Sequence, residues 1–394
     1  MSVSIEQMKR KVKEKLLLNM STYSDVSDVK FRALIEDAIK DECIDSIDRA
    51  VIVKQIFQSI RQNDVIQDLL DDDEVTEIMI NGYDKVFVER HGRIERCNIA
   101  FDSNERLRDV IQKMVSKVNR VVNESSPIVD ARLDDGSRVN VVLPPVSLDG
   151  PIVTIRKFSK KPLTIDKLVE MKSLTKEARD FLEKLVKAKY NIFISGGTGS
   201  GKTTFLNALS DFIPKDERII TIEDSAELQI HDIPNTVRLE VRNANVEGNN
   251  EIAIRDLIKT ALRMRPDRIV VGEIRDEAAV DMLNACNTGH DGSMSTGHAN
   301  SAKDMMTRLE SMVLMGQDIP ISVIRSKIVS AIDIVVHLSR LKDKSRCVYE
   351  ISEVVGMRDN EIVLNKLFEY KGELVKTDNQ LQNTEKLLKA EESL

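Results

Sequence analysis

The sequence predicts an α/β fold with a mostly parallel sheet, preceded by a smaller α+β domain and a helical module. Three observations predict it. From Lys161 onward, apolar strand-like runs alternate with helical stretches. Between residues 71 and 160, apolar residues recur with the period of two that is typical of antiparallel strands. A chain of 394 residues also exceeds the size at which one core usually keeps growing, so several domains are expected.

The first seventy residues carry helical periodicity. Two apolar stripes indicate two helices, one with Phe31, Leu34, Ile35, Ala38 and Ile39 and one with Val53, Ile56, Phe57 and Ile60. A further stripe, Ile5, Met8, Val12 and Leu16, lies opposite Lys and Arg residues. It is typical of an ordinary docking helix, and a membrane-surface helix is the alternative. We therefore expect residues 1–70 to form an N-terminal helical module.

Residues 71–160 are expected to form a strand-rich α+β domain. The acidic run that begins at Asp71 marks its start, and strands in EVTEIMI and KVFVER follow, with a turn at His91. A helix is predicted around 104–118. Asp135-Gly136 then gives the strongest short hairpin signal in the chain, and a strand within 152–158 closes the domain.

Residues 161–375 are expected to form the larger α/β domain. A helical stretch over 165–189 leads to the strand NIFIS, and further strands are predicted at 218–223, 237–242 and 268–272. Strands that alternate with helices indicate parallel crossovers, and ligands of such sheets bind at the carboxyl edge. Residues 376–394 are predicted to be a polar tail, either solvated or a frayed helix.

Composition excludes several classes of protein. The net charge of -7, the pI of about 5.5 and the absence of Trp argue against a nucleic-acid binder. The sequence holds no apolar run near the roughly 18 residues that span a bilayer, and its charged start is unlike a secretory signal, so a cytoplasmic protein is expected. Its cysteines lack zinc-ligand spacing and are expected to be free thiols; they are Cys43, Cys97, Cys286 and Cys347.

A glycine-dense turn, SGGTGSGKTT, follows the strand NIFIS and precedes the helical run FLNALSDFI. Strand, glycine turn and helix together predict a phosphate loop, because the glycines allow successive N–H groups to face phosphate oxygens. Lys202 is expected to reach the β- and γ-phosphates of ATP, and the Thr203 hydroxyl to ligate Mg²⁺. The predicted phosphate-binding residues are Gly196, Gly197, Thr198, Gly199, Ser200, Gly201, Lys202, Thr203 and Thr204.

Carboxylates and histidines follow strands at the same predicted edge. Glu273 ends a strand and is the expected Mg²⁺ ligand, directly or through water, while a second acidic group contains Glu223, Asp224 and Glu227. His290 and His298 fall eight residues apart around a predicted short strand, which we expect to join them at one edge in a phosphate-sensing role.

Three arginines of the strand-rich domain, Arg132, Arg138 and Arg156, allow two interpretations. They either lie on a solvated strand face or cross a cleft or subunit boundary to neutralise transition-state charge. An arginine in the second role contributes about 10³–10⁵ in rate.

Four blocks in order give the chain a family resemblance over roughly residues 70–370: GGTGSGKTT, TIEDSAEL, KTALRMRPDRIVVGEIRD and NTGHDGSMSTGHANSAKD. The chain resembles the ATPases of type II and type IV secretion machines, and most of all the tight-adherence (Flp) pilus assembly branch. The resemblance implies a hexameric ring at the cytoplasmic face of the inner membrane, with an N-terminal domain hinged to a RecA-like ATPase domain.

The same resemblance implies roles for individual residues. Glu227 matches the catalytic glutamate and Glu273 the Walker B glutamate, while His290 and His298 match the histidine box. Arg132, Arg138 and Arg156 are the candidates for arginines that reach nucleotide. The chain lacks the tetracysteine zinc module of many relatives, and Gly297 replaces a bulky apolar residue.

The leading hypothesis is therefore a Mg²⁺-dependent ATPase that drives pilus assembly or type II-like secretion through an inner-membrane platform protein. Membrane association through partners, and no nucleic-acid partner, are expected. A conjugation or effector traffic ATPase of type IV secretion is the first alternative. A nucleotide-switched scaffold with little hydrolysis is the second.

Overall fold

The computed structural model describes residues 12, 13, 16, 26–40, 44–158, 162–242 and 250–391. The chain divides into two compact units, residues 1–160 and residues 161–394. Most of the predicted N-terminal basic helix, including Ile5 and Met8, lies outside the described residues, as does Cys43. Of that helix, Val12 and Leu16 are helical and buried, as a docking helix requires. No helix among the described residues is both long and apolar enough to cross a membrane.

Unit 1 combines short helices with one antiparallel sheet. Its helices are α1 (Asp28–Ala38), α2 (Ser46–Arg61), a 3₁₀ turn (Asp64–Ile66), α3 (Gln67–Asp71) and α4 (Asn104–Lys117). Its strands are β1 (Val75–Asn81), β2 (Val86–Arg90), β3 (Arg93–Cys97), β4 (Ile128–Arg132), β5 (Arg138–Val142) and β6 (Ile152–Arg156). The sheet order is β3-β2-β1-β6-β5-β4, with every neighbouring pair antiparallel.

The antiparallel sheet and both turns predicted in this region are confirmed. β2 and β3 pair directly across the turn at His91, and β4 and β5 pair across the turn that contains Asp135. The apolar face of α4 packs on the sheet, with Leu107, Val110, Ile111, Met114 and Val115 buried. Helices α1 and α2 bury a separate apolar cluster around Phe31 and Phe57.

Unit 2 holds the phosphate-loop sequence. Its helices are α5 (Ile165–Glu170), α6 (Lys176–Lys187), α7 (Lys202–Ser210), α8 (Ile254–Ala261), α9 (Ala278–Cys286), α10 (Ala302–Gly316), α11 (Ile321–Ala331) and α12 (Glu385–Glu391). Its strands are β7 (Ile192–Gly196), β8 (Ile219–Glu223), β9 (Thr236–Glu240), β10 (Arg268–Val271), β11 (Met294–His298), β12 (Ile334–Arg340), β13 (Arg346–Arg358), β14 (Glu361–Tyr370) and β15 (Leu374–Lys376).

These strands form one nine-stranded sheet in the order β15-β14-β13-β12-β7-β11-β10-β8-β9. The six strands from β12 to β9 are parallel, whereas β13, β14 and β15 extend the sheet in antiparallel fashion. Apolar side chains are buried on both faces, which is typical of a parallel sheet between two layers of helices. The prediction of a mostly parallel sheet is confirmed, and the antiparallel extension is an addition to it.

The sequence-based prediction was less accurate at two places. The helical stretch expected over 165–189 divides into two helices, α5 and α6, because Lys172 between them has a left-handed backbone (φ 59°) and Thr175 caps α6. The tail, expected to be solvated or a frayed helix, contains the short helix α12, and parts of it are bound to the rest of unit 2. Lys386 contacts the carboxylates of Asp291 (2.6 Å) and Asp333 (2.7 Å), and the buried Glu353 accepts the backbone N–H groups of residues 382 and 383.

Candidate active site

The phosphate-loop sequence connects β7 to α7. Gly199 and Gly201 have left-handed backbones (φ 69° and 92°), which L-residues with side chains rarely adopt. A Cβ on Gly196 would lie 2.5 Å from Ser200 Oγ and 2.6 Å from the Leu338 carbonyl oxygen, so the position has room for glycine alone. The loop therefore packs closely against its own turn and against β12.

Side chains of this loop differ in exposure. Ser200 and Lys202 are buried, Thr203 and Thr204 are half-buried in the first turn of α7, and Thr198 is exposed. The Ser200 hydroxyl donates to the Gly197 carbonyl at 2.9 Å. The loop is thus held by contacts within itself, and its outer face is open to a ligand.

Lys202, His298 and Glu273 form a continuous chain of polar contacts. Lys202 Nζ lies 3.2 Å from His298 Nδ1 and also donates to the Gly197 carbonyl at 3.2 Å. On the other side of the ring, His298 Nε2 lies 3.1 Å from Glu273 Oε1. Burial and the neighbouring Lys202 charge lower the pKa of His298. The neutral ring therefore accepts from Lys202 at Nδ1 and donates to Glu273 from Nε2.

Sheet topology explains this convergence. β11 pairs in parallel with β7, and His298 is in register with Gly196 at the carboxyl ends of the two strands. β10 pairs with β11 on the far side and ends two residues before Glu273. Three neighbouring strands therefore carry the lysine, the histidine and the glutamate to one edge, as predicted for His298 and Glu273.

Glu223 fixes the loop that contains Glu227. Glu223 ends β8 and is 3% exposed; its Oε1 accepts the backbone N–H of Glu227 at 2.8 Å and that of Leu228 at 2.7 Å. From the other side, Asn207 on α7 accepts the N–H of Gln229 at 2.8 Å. Burial raises the pKa of Glu223 to about 7. The half-buried Glu227 is therefore held by its backbone next to the helix that follows the phosphate loop.

Arg275 joins the two acidic groups. Its Nε lies 3.0 Å from Glu273 Oε1, and its Nη2 lies 3.1 Å from Asp224 Oδ2. The guanidinium group is half-exposed and borders an open cleft of about 800 Å³. This cleft is lined by Gly197, Thr198, Glu273, Arg275, His298, Ala299, Asn300, Asp304, Thr307, Arg308 and Ser311.

His290 does not join this group, and the expectation that both histidines share one edge is wrong. His290 precedes β11 by four residues and His298 is the last residue of that strand, which begins next to Ile192 and ends next to Gly196. His290 therefore lies at the amino end of the strand, where its Nδ1 is 3.3 Å from the Ala285 carbonyl oxygen. An extended strand of this length carries its ends about 15 Å apart, so it cannot bring them together.

The three arginines of unit 1 form a row. Arg132 pairs with Arg138 across β4 and β5, and Arg138 pairs with Arg156 across β5 and β6. They alternate with buried residues, including Val139 and Ile155, so the row lies on the face of the sheet away from the core. Arg156 is also in register with Glu77 of β1, and the Arg132 guanidinium lies 6.0 Å from the centre of the Phe158 ring.

Sequence reasoning missed several residues of the site in unit 2. Arg275 and Asn207 were not singled out, and Glu223 was considered only as one acid among several. A signal existed for Arg275, because it follows Glu273 by two residues on the same turn. The roles of Asn207 and Glu223 depend on which loop lies beside α7, which no short stretch of sequence specifies.

Residues 60–382 match the family model described as type II/IV secretion system protein. The chain belongs to this family. Among relatives, VirB11 of the Brucella suis type IV secretion system is 36% identical over 296 residues, which cover 68% of this chain and 82% of VirB11. A putative conjugal transfer protein of Mycobacterium tuberculosis is 33% identical over 294 residues, covering 73% and 83%.

One further relative of this secretion family matches over a shorter region. An uncharacterized protein of Methanocaldococcus jannaschii is 44% identical over 234 residues, so the match spans 57% of this chain and about a third (32%) of that protein. The narrower resemblance to the tight-adherence branch stays a prediction, since conjugal transfer and type IV secretion proteins are among these relatives.

Solved structures of secretion-family proteins share the fold. The Legionella pneumophila ATPase DotB has a TM-score of 0.54 and 22% identity, covering 75% of this chain and 80% of DotB. The pilus retraction motor PilT, solved with bound ADP, has a TM-score of 0.53 and 20% identity, covering 83% and 87%. The predicted α/β, RecA-like fold is thereby confirmed.

Proposed function

We propose that this secretion-family protein hydrolyses ATP to ADP and phosphate in a Mg²⁺-dependent reaction and uses the energy to drive a secretion or pilus machine. The observation that carries the proposal is the contact chain from Lys202 through His298 to Glu273 at the open side of a glycine loop. A relative named as a type IV secretion system protein and a structural neighbour named as an ATPase support it.

The residues present fit a nucleotide and its metal. Gly199 and Gly201 have the backbone that turns N–H groups toward an anion, and α7 begins directly after them. Thr203 and Glu273 supply the hydroxyl and carboxylate oxygens that Mg²⁺ prefers. When bound, Mg²⁺ would neutralise charge on the phosphates.

In this proposal each side chain has a separate task. Lys202 binds the β- and γ-phosphate oxygens, and moves from the Gly197 carbonyl to do so. Glu227 accepts a proton from the attacking water, while the bond between the γ-phosphorus and the bridging oxygen breaks and ADP leaves. His298 is neutral and donates its Nε2–H to Glu273, while its Nδ1 accepts from Lys202. Movement of Lys202 toward the phosphates would therefore change the contacts of this ring. The contribution of the arginine row is to neutralise transition-state charge.

The first test is Lys202→Ala. Loss of a phosphate-binding cation should abolish ATP turnover while thermal unfolding stays close to that of the wild type. A matched control is Lys187→Ala, which removes an exposed lysine of α6 with a surface partner, Glu183. Near-normal ATPase activity in Lys202→Ala would reject the site.

The second part of the proposal concerns the machine in which the protein acts. We propose a hexameric ring that acts on an inner-membrane platform protein of a tight-adherence pilus or type II-like secretion system, and that associates with the membrane through that partner. Sedimentation with and without ATP tests the ring, and co-purification with the platform protein tests the partner. A monomer at all nucleotide concentrations would contradict the ring.

Type IV secretion or conjugation is the second candidate, and identities of 33% and 36% over more than four fifths of the matched relatives favour it. The acidic composition does not indicate a DNA-binding surface. ATP turnover should therefore be measured with and without single-stranded and double-stranded DNA. Stimulation by DNA would favour a conjugation machine, and none is expected of a pilus motor.

A nucleotide-switched scaffold is the alternative of another class. Glu227→Gln keeps the size of the side chain and leaves the backbone hydrogen bond to Glu223 in place. It removes the basic carboxylate. A motor loses both turnover and assembly of its machine in this variant, whereas a switch retains assembly with ATP bound. Complementation of a strain that lacks the protein separates the two outcomes.

A further inference from the structure

The turn between β12 and β13 lies against the phosphate loop. β12 and β13 form a hairpin in which Arg340 and Arg346 are paired directly across the strands. Arg346 Nε donates to the Gly199 carbonyl at 2.9 Å, and its Cδ lies 3.4 Å from the point that a Cβ on Gly201 would occupy. Nη1 of Arg340 lies 3.7 Å from the corresponding point on Gly199. Two guanidinium groups therefore border the middle of the loop.

The hairpin is anchored on both sides of Arg346. Ser173, between α5 and α6, donates its hydroxyl to the Arg346 carbonyl at 2.8 Å, and its own carbonyl accepts the Val348 N–H at 2.7 Å. Within the turn, Leu341 N–H donates to the Ser345 carbonyl at 2.8 Å. Although the Arg346 side chain is exposed, its backbone position is fixed by these bonds.

We infer that Arg346 is a positioning residue of the phosphate loop, and that Arg340 and Arg346 together add to the positive field that receives the nucleotide. This inference rests on the proposed ATP site. The Gly199 carbonyl accepts from Arg346, and the N–H of the same peptide, that of Ser200, donates to the Gly197 carbonyl at 3.3 Å, so both sides of this peptide are fixed. The guanidinium group thus holds the loop in its binding conformation before nucleotide arrives.

The placement of the two arginines supports the same inference. Arg340 and Arg346 pair at the turn end of the hairpin, beside Gly199 and Gly201 rather than elsewhere along the two strands. Two guanidinium groups at the glycine loop favour an anionic ligand, and nucleotide phosphates are the anion of the proposed site.

The test is the affinity for ADP with Mg²⁺, measured by titration calorimetry, together with kcat and KM for ATP. Arg346→Ala should weaken ADP binding about tenfold and raise KM similarly, because one charge-assisted hydrogen bond is lost. The value of kcat should change less than about threefold, since Arg346 is not expected to touch the reacting atoms. Arg346→Lys keeps the charge without Nε, so it should restore only part of the affinity.

Two further variants make the result decisive. Lys342→Ala removes an equal charge from the exposed part of the same turn and should leave affinity within about twofold of the wild type. Lys202→Ala reports on the site itself: loss of binding there with normal binding in Arg346→Ala overturns the inference and leaves the proposed function standing. Normal binding in Lys202→Ala would overturn both. Full rescue by Arg346→Lys, or an equal loss in Lys342→Ala, would show that general charge suffices and overturn the positioning role.

Discussion

The carboxylate of Glu223 accepts the backbone N–H of Glu227 at 2.8 Å, so one acid of the site holds the loop that presents another. Glu223 is buried at the end of β8, and this burial raises its pKa to about 7. Its second oxygen, Oε2, has no hydrogen-bond partner among the described residues. The carboxylate therefore positions the Glu227 loop at an electrostatic cost.

This cost predicts a pH dependence of stability in the nucleotide-free protein. A folded pKa above the ordinary value of a glutamate means that the folded state binds more protons, so stability is highest below pH 4.5 from this group and falls as pH rises toward 7. Glu223→Gln should remove this decrease. Between pH 5 and pH 8, the free energy of unfolding measured in urea should therefore rise by about 2 kcal/mol in the variant relative to the wild type. Parallel curves for the two proteins would contradict the assignment.

Substitutions of the two histidines are expected to change kcat to different extents. His298→Ala removes the ring between Lys202 and Glu273 and should lower kcat by about 10²-fold. His290→Ala changes the same residue type at the opposite end of β11, beside the Ala285 carbonyl, and should leave kcat within about twofold. Steady-state ATPase assays at equal thermal stability compare them. Equal losses in both variants would refute the distinction.

Substitutions of two adjacent glycines in the loop are expected to change the free energy of unfolding to different extents. Gly196→Ala places a methyl group 2.6 Å from the Leu338 carbonyl, which cannot move without disturbing β12, and should cost about 2–3 kcal/mol of unfolding free energy. Gly197→Ala meets no atom within 4 Å and should change stability by less than about 0.5 kcal/mol. Urea denaturation of the three proteins measures the difference.

A buried ion pair at the amino edge of the sheet should govern stability without touching the site. Arg268 is fully buried, and its Nη2 lies 3.1 Å from Glu217 Oε1 while its Nη1 donates to the Val186 carbonyl at 2.8 Å. Arg268→Ala leaves the buried Glu217 with only the half-exposed Lys189 at 3.6 Å as a cationic partner, and should cost about 3 kcal/mol.

The control for that variant is Lys167→Ala, which breaks an exposed pair with Glu170 and should cost below about 1 kcal/mol. Chemical denaturation monitored by circular dichroism reports both values. A loss in Arg268→Ala no larger than that in Lys167→Ala would show that the buried pair contributes little.

Local patterns predicted much of this molecule. The strand, turn and helix of the phosphate-loop sequence were predictable because they are contiguous, and the hairpin turns at His91 and Asp135 are marked by their own residues. Glu273 was placed correctly because a short buried strand ends just before it. In each of these features, adjacent residues fix the geometry.

Features set by distant pairing were not predictable in the same way. The antiparallel addition of β13–β15 depends on which edge of the sheet β13 joins. The alternation of apolar residues in β13 does not specify that edge. His290 was misplaced because the direction of β11 carries its two ends to opposite edges. The contact of Arg346 with Gly199 joins residues 147 positions apart, and no motif in either segment indicates it.

The carboxylate of Asp333 has a practical consequence for trimming the chain. One oxygen, Oδ2, receives both the backbone N–H of Asn191, just ahead of the phosphate-loop strand, and the ammonium group of Lys386. Deleting residues 382–391 would strip donors from Asp333 and from the buried Glu353 together. A shortened protein intended for crystallisation would thus lose support beside the strand that leads into the glycine loop. A low activity measured on it would reflect a folding defect rather than the chemistry of the site.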